Sequence, residues 1–394
     1  MTPDRPGRPT RAAPPTAPAG AGSLSSMFSE RADRVRRRMG DLGVDAVLLS
    51  VGPDLPYLTG YEAMPLERLT MLVLPREGQA TLLVPRLEAP RVTERPDDFT
   101  LLPWGETDDP VDIVAGLVPS TGCLAIGDRT WARFLVELQG ALPRAQWSRA
   151  SEVIGPLRAR KDAGEIESLR RAGAAADRVA AQLQSGEIPL RGRTEADVSK
   201  DIGRRLVAEG HQRVNFAIVA AGPNGASPHH EPGHRVIIDG EVVLCDFGGT
   251  MLDDHGVGYC SDITRCVALG EPPDQVRTAY EVLFEAQQAA VDAAVVGTPC
   301  QEIDATARRI IDAAGWGEQF FHRTGHGIGV EEHEDPYIVR GNDEPLAAGH
   351  AFSIEPGIYL GGHFGIRLED IVVATDAGPD RLNDADHTLV VVDA

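Results

Sequence analysis

Two aspartates lie inside apolar stretches at a spacing that would let them act together on a bound cation. Asp246 belongs to the segment LCDFGG, and Asp262 belongs to YCSDITR. A β-hairpin centred on residue 254, within the polar stretch 253–256, would put the two residues at equal distances from its turn. Directly opposed residues of an antiparallel pair have Cβ atoms about 5 Å apart. We therefore expect these carboxylates to be cross-strand neighbours on one face of a sheet.

Two glutamates repeat this arrangement later in the chain. Glu355 lies in FSIEPG and Glu369 lies in IRLED, and their midpoint is Gly362, within the turn 360–363. The same hairpin geometry predicts a second pair of facing carboxylates.

Four carboxylates gathered in apolar strands need a positive partner. Like charges placed opposite each other destabilise a sheet, and buried carboxylates require cations or hydrogen-bond donors. A single acid would be better interpreted as part of a solvated strand face, but two symmetric pairs favour a site for two divalent metal ions. His326, between glycines in HRTGHGIGV, adds an imidazole. This set suits Mn²⁺ first, and also Co²⁺, Zn²⁺ or Fe²⁺, and paired ions of this kind activate water for hydrolysis.

Two other motifs are rejected as sites. The residues from His230 to His234 read H-E-x-x-H, but that zinc motif requires a helix, which Pro232 and Gly233 disfavour. The glycines at positions 325, 327 and 329 lack the spacing of a dinucleotide-binding loop.

The second half of the chain predicts two helices followed by strands, and then the same order again. The predicted elements are helices that begin at Asp162 and Thr194, strands 214–219, 242–248 and 259–269, helices 273–296 and 298–315, and strands 351–355 and 365–374. This repetition predicts an internal duplication in which each half supplies one acidic pair.

The first half predicts a smaller α/β domain in which no chemistry is concentrated. Its predicted elements are a helix at 28–42, strands at 45–50, 70–74 and 80–84, and a weak helix at 128–140. We divide the chain into a disordered Pro/Ala-rich tail (1–26), an N-terminal domain (27–158) and a catalytic domain (159–394). Met27 is an alternative start of the protein.

Composition limits the classes of partner. The formal net charge of −21 argues against nucleic acid, and the sequence has no apolar run of the length that spans a membrane. Five cysteines without a C-x-x-C pair fit a reducing compartment, so we expect a cytoplasmic protein.

Several of these segments together resemble the motifs of the pita-bread metallopeptidases, especially Xaa-Pro dipeptidases (prolidases) and aminopeptidase P. The matching segments are PHHEPG (228–233), DFGG (246–249), SDITR (261–265), GHGIG (325–329), HE-x-P (333–336), IEPGIY (354–359) and RLED (367–370). The resemblance covers about residues 160–394. The first half resembles the creatinase-type N-terminal domain of these enzymes through DLPYLTGY (54–61). The fold it implies is α+β, a pita-bread domain with a pseudo-twofold duplication after a smaller α/β domain.

The resemblance also implies roles for individual residues. The implied metal ligands are Asp246, Asp262, His326, Glu355 and Glu369. Glu355 would also serve as general base or proton shuttle, His229 would approach the substrate amide, and His333 would stabilise the developing oxyanion. His322 and Arg367 match positions near the substrate.

One departure from the family concerns the turn between Asp246 and Asp262, which is longer than usual. We expect the extra residues to project without moving the ligands, whereas a one-residue register shift would turn an aspartate away from the metals.

The activity that the resemblance implies is hydrolysis of the Xaa-Pro bond at the N-terminus of small peptides, by a homodimer. Alternatives are a creatinase-like C–N hydrolase, a methionine aminopeptidase, a carbon–sulfur lyase and a non-catalytic peptide-binding module. The first and last usually lack this ligand set, and methionine aminopeptidases usually lack the N-terminal domain.

Overall fold

The computed structural model describes residues 26–393. The predicted tail therefore lies outside the described residues except for Ser26, whose hydroxyl caps the first helix by accepting the Ser29 N–H. Within the described range, no helix combines the length and apolar character that crossing a bilayer requires.

The first part of the chain forms a six-stranded mixed sheet covered by helices on both faces. Its helices are α1 Met27–Leu42, α2 Asp54–Thr59, α3 Pro110–Leu117, α4 Ala132–Ala141 and α5 Ser151–Ala159, and its strands are β1 Ala46–Leu49, β2 Met71–Pro75, β3 Ala80–Pro85, β4 Phe99–Trp104, β5 Thr121–Ile126 and β6 Arg144–Arg149. The strand order is β4-β3-β2-β1-β5-β6. Strand β1 is apolar throughout because Val47 and Leu49 enter one core while Ala46 and Leu48 enter the other.

The second part contains four long helices and two larger sheets, one antiparallel and the other antiparallel except for the parallel pair β10–β18. Its helices are α6 Ala163–Gln184, α7 Glu195–Ala208, α8 Asp274–Ala293 and α9 Cys300–Ala313, and its strands are β7 Arg213–Ala221, β8 Glu241–Leu252, β9 Gly258–Cys260, β10 Ile263–Leu269, β11 Gly325–Gly327, β12 Glu334–Ile338, β13 Ala351–Ile354, β14 Gly357–Leu360, β15 Phe364–Arg367, β16 Asp370–Thr375, β17 Gly378–Arg381 and β18 Val390–Val392. The predicted helix starts are confirmed, since Asp162 and Glu165 form a capping box and Thr194 caps α7.

The predicted duplication agrees with the topology. Each half begins with two helices, and three strands of each half then pair antiparallel in succession, β7–β8–β10 in one sheet and β11–β13–β16 in the other. An isolated antiparallel bridge between Thr264 and Glu369 connects the two sheets. The two acidic pairs therefore belong to equivalent places in the two halves.

The register of the first hairpin differs from the prediction. Asp246 is paired with Thr264 and Thr250 with Cys260, so the hairpin is centred on residue 255, and Asp262 lies diagonal to Asp246 in the break between β9 and β10. The turn explains the difference, because the Asp253 carboxylate accepts the N–H groups of two later turn residues and closes the turn one position later than expected. The pairing moves by two residues, so both aspartates keep the same face.

The register of the second hairpin is as predicted. The pairs Gly357–Arg367 and Ile354–Asp370 are both centred on Gly362. Glu355 and Glu369 occupy the gap between these two ladders, opposite each other.

Candidate metal centre and active site

A cavity of about 730 Å³ lies where the two sheets meet. Its walls include all nine residues that the sequence singled out, namely His229, Asp246, Asp262, His322, His326, His333, Glu355, Arg367 and Glu369. Of the five proposed ligands, Asp246 lies in β8, Asp262 between β9 and β10, and His326 in β11. Glu355 directly follows β13, and Glu369 directly precedes β16. Asp262, Glu355 and Glu369 lie at breaks between strands, whereas Asp246 and His326 lie within strands.

His326 faces the carboxylates through one ring nitrogen. Its Nδ1 lies 3.2 Å from the carbonyl oxygen of Gly327 and must donate to it, which leaves the lone pair of Nε2 free in the neutral ring. Nε2 lies 3.2 Å from Glu355 Oε1 and 3.8 Å from Asp262 Oδ2. A backbone carbonyl that fixes the tautomer in this way is typical of metal-binding histidines.

Three of the carboxylates carry buried oxygens that lack a donor. Asp246 Oδ1, Asp262 Oδ1 and Glu369 Oε1 accept no hydrogen bond from any residue in 26–393. One potential ligand atom each from Asp262, His326 and Glu369 lie within 4.8 Å of one another. Unpaired buried acceptors that surround an imidazole lone pair are costly by themselves. Four carboxylates and one imidazole thus fit divalent cations.

The crowding of buried negative charge also shifts the pKa values of these acids. Burial, followed by repulsion from Glu369, raises the pKa of Asp262 well above its usual range. Burial and the charges of Glu355 and Asp246 do the same to the pKa of Glu369. Glu355 differs: burial raises its pKa, but the neighbouring His326 and the charge of Arg367 together lower it to about 2. A dication at this point would favour the charged form of every one of these acids.

Hydrogen-bond donors behind the proposed ligands fix their orientation. Thr264 Oγ1 donates to Glu369 Oε2 at 2.6 Å and accepts from Arg367 Nε at 3.1 Å. The Arg367 guanidinium also pairs with Asp246 Oδ2. This buried arginine therefore connects, directly or through Thr264, an acid of the first half with an acid of the second half.

A chain of hydrogen bonds leads from Arg367 to His322. Arg367 Nη1 donates to the Tyr359 hydroxyl at 2.9 Å, and that hydroxyl donates to His322 Nε2 at 2.9 Å. His322 Nδ1 donates in turn to the carbonyl oxygen of Arg323 at 2.7 Å. Burial lowers the pKa of His322, consistent with the neutral ring that this chain requires.

Two exposed histidines stand at the cavity wall. The His333 ring centroid is 3.9 Å from that of His326, and its Nδ1 accepts from Arg323 at 3.3 Å. Desolvation, then the nearby His326 and Arg323, lower the pKa of His333 to about 4, so the neutral ring presents Nε2–H as a donor. His229 enters from the loop 222–230.

Glycines allow the strands of the site to approach each other. A Cβ on Gly325 would lie 1.8 Å from the carbonyl oxygen of Ser353, and a Cβ on Gly327 would lie 2.3 Å from that of Asp335. The strand that carries His326 can therefore sit between its neighbours only with glycine on both sides of the histidine.

Sequence reasoning missed four polar residues of this region: Thr264, Arg323, Tyr359 and Ser353. Thr264 and Tyr359 lie within quoted motifs, and a polar residue inside a buried strand was the available signal for both. Ser353, whose hydroxyl accepts the His326 N–H at 3.0 Å, is another polar residue in an apolar strand. Nothing in the local sequence marks Arg323.

Comparison with known proteins identifies the family. Residues 31–160 match the creatinase/prolidase N-terminal domain, and residues 167–376 match metallopeptidase family M24. The chain belongs to metallopeptidase family M24 and is a peptidase that uses divalent metal.

Individual relatives are similar over nearly their whole length. A probable dipeptidase PepE of Mycobacterium tuberculosis is 41% identical, over 93% of this chain and 97% of that protein. An Xaa-Pro dipeptidase of Lactobacillus helveticus is 36% identical, over 91% of this chain and 98% of that protein. Among solved structures, dipeptidase PepE from Mycobacterium ulcerans has a TM-score of 0.86 and 42% identity, with 93% of this chain and 98% of that chain covered. These similarities agree with the expected pita-bread fold.

Proposed function

We propose that this protein is an exopeptidase that requires two divalent metal ions and hydrolyses the Xaa-Pro bond of dipeptides or short peptides. The observation that carries the proposal is the convergence of four carboxylates and His326 in one cavity, with three buried carboxylate oxygens left without donors by residues 26–393. We assign the metal ions to Asp246, Asp262, His326, Glu355 and Glu369.

Bound ions would supply polarisation of the scissile carbonyl and a water of lowered pKa. Glu355, which lines the cavity beside His326 Nε2, accepts the proton of the attacking water and delivers it to the leaving nitrogen. His333 donates its Nε2–H to the carbonyl oxygen as negative charge develops there. His229, which also lines the cavity, contacts the substrate amide.

The substrate class is supported by the relatives and by the cavity wall. Relatives carry the names dipeptidase and Xaa-Pro dipeptidase. Phe216, Ile218 and Phe321 give the cavity an apolar wall beside the proposed ligands, where a pyrrolidine ring would pack. Arg367 and His322 also line the cavity and would orient the peptide.

The proposal includes features that concern the whole protein. We assign Mn²⁺ as the preferred metal, a homodimer as the assembly, the cytoplasm as the location and residues 159–394 as the catalytic domain. The oxygen-rich ligand set supports Mn²⁺, and the five free thiols support a reducing compartment.

The test is hydrolysis of Xaa-Pro dipeptides and Xaa-Pro-Yaa peptides by metal-free protein to which Mn²⁺, Co²⁺ or Zn²⁺ is added back. We expect cleavage that depends on the metal and is lost on chelation. The variant Asp262→Ala should be inactive, while Asp254→Ala, in the exposed turn of the same hairpin, should retain activity. Activity that survives thorough chelation would contradict the mechanism. Absence of cleavage of every proline peptide by metal-loaded protein would instead contradict the substrate class.

A further inference from the structure

The carboxylate of Glu195 is fully buried at the first turn of α7, beside the loop that carries His229. It accepts the N–H of Ala221 at 2.8 Å and the side-chain amide of Asn224 at 3.0 Å, both at the start of this loop. It also accepts His230 Nε2 at 2.8 Å and the N–H of Gly233 at 3.4 Å, at the end of the loop. One buried anion thus binds both ends of the segment 221–233.

The segment between these ends forms part of the catalytic cavity. Ser227, Pro228 and His229 all line it. The carbonyl oxygen of Pro228 accepts from Arg367 Nη1 at 3.5 Å, so the same loop reaches the arginine behind the metal ligands. A displaced loop would therefore move His229 relative to the proposed ligands.

The His230 side chain donates a hydrogen bond to the Glu195 carboxylate and does not line the cavity. It is the second histidine of the PHH segment and the first of the rejected H-E-x-x-H pattern, so no metal role remains for it. Burial raises the pKa of Glu195, but the hydrogen bonds from Ala221, His230 and Asn224 hold it below its usual value. The carboxylate thus stays ionised and remains a strong acceptor.

We infer that Glu195 and His230 form a positioning pair that holds the 221–233 loop and thereby sets His229 against the substrate. This inference rests on the proposed role of His229 in peptide hydrolysis. Neither Glu195 nor His230 touches substrate in this arrangement.

A double-mutant cycle with His229 tests the inference, using Mn²⁺-loaded protein and an Xaa-Pro dipeptide. His230→Ala should lower kcat/KM about 10- to 100-fold, the size of effect that a displaced catalytic group produces, with Mn²⁺ affinity unchanged. His230→Gln, whose amide N–H can reach Glu195, should recover most of the activity. The double variant His229→Ala/His230→Ala should be no slower than His229→Ala alone. His234→Ala, an exposed histidine four positions along, is the matched control and should behave as wild type.

Additive losses in the double variant, or wild-type kinetics of His230→Ala, would overturn the positioning role. A fully active His229→Ala variant, or a wild-type protein that does not cleave the dipeptide, would instead contradict the proposed function. Hydrogen exchange separates these cases because it needs no substrate. The amides of Ala221 and Gly233 should exchange faster in His230→Ala than in wild type, and unchanged exchange would overturn the inference whatever the activity.

Discussion

The Thr264 hydroxyl shows how a single residue can orient the proposed metal site. It donates to Glu369 and accepts from Arg367, so it orients one proposed ligand and one supporting cation at the same time. It is fully buried. Substitution of Thr264 by an apolar residue of the same shape would leave Glu369 and Arg367 in place but remove the two hydrogen bonds that connect them through the hydroxyl.

Thr264→Val should therefore weaken divalent metal binding about 10- to 100-fold, the usual effect of losing a group that orients a ligand. Thr264→Ser, which keeps the hydroxyl, should bind metal nearly as wild type does. Titration of metal-free protein with Mn²⁺ by calorimetry measures this difference. Equal affinities in all three proteins would show that the hydroxyl does not support the site.

The convergence of the four acids and His326 in one cavity could be predicted from the sequence, but the donors that support them could not. Acids inside apolar strands contradict the local pattern, and that contradiction singles them out. Glu195 is the first residue of α7 after the N-cap Thr194, and acidic residues are common in the first turn of a helix. Its role depends instead on a loop that folds back over it. Such contacts depend on tertiary structure that local periodicity does not contain.

Among the elements, the hairpin β14–β15 and the 3₁₀ turn Gly222–Ala226 meet through two glycines. A Cβ on Gly365 would lie 1.7 Å from the carbonyl oxygen of Gly225. This backbone contact sets the distance between the loop that carries His229 and the strand that carries Arg367.

Gly365→Ala should destabilise the protein by about 2 kcal/mol or more, because neither backbone can yield without moving the site. It should also lower kcat/KM. Gly361→Ala, in the turn of the same hairpin and with no atom within 4 Å of its added Cβ, should change neither quantity. Urea unfolding with parallel kinetics makes the comparison. Similar unfolding free energies for the two variants would show that the contact is not tight.

Element types were predicted better than the places where strands break. Hydrophobic periodicity gave the helices α1, α6 and α8 closely, since each presents a continuous apolar face. The stretch 259–269 was predicted as one strand, whereas β9 and β10 separate around Asp262. The stretch 365–374 likewise divides into β15 and β16 around Glu369. Both breaks release an acid toward the cavity, and nothing in strand propensity distinguishes such a break from continued pairing.

For the whole molecule, buried ion pairs connect the two parts of the chain. Arg158 of α5 pairs with Asp54 at 2.7 Å, with Glu331 at 2.7 Å and with Glu334. Lys161 also pairs with Glu334, at 2.5 Å. Because Glu334 follows His333, the first part of the chain contributes to the shape of the active site.

Acid should destabilise the folded protein through His350, which is buried near Lys161. Burial, then the charges of Lys161 and Arg160, lower the pKa of His350 to about 4. Between pH 6.5 and pH 4 the unfolded chain binds this proton and the folded chain does not, so stability falls as the pH falls through that window. The expected loss is about 3 kcal/mol, since each pH unit of this window corresponds to about 1.4 kcal/mol. Unfolding of His350→Asn should depend less on pH, while the exposed His363→Asn should follow wild type. Identical pH profiles for wild type and His350→Asn would contradict this assignment.

The most direct test of the metal centre is a crystal structure of protein loaded with Mn²⁺, with the ions located by their anomalous scattering. We predict two ions in the cavity, about 3.5–4 Å apart, with Asp262 and Glu369 between them and His326 Nε2 on one. Ions bound elsewhere, or a cavity in which these carboxylates turn away from each other around water alone, would contradict the account.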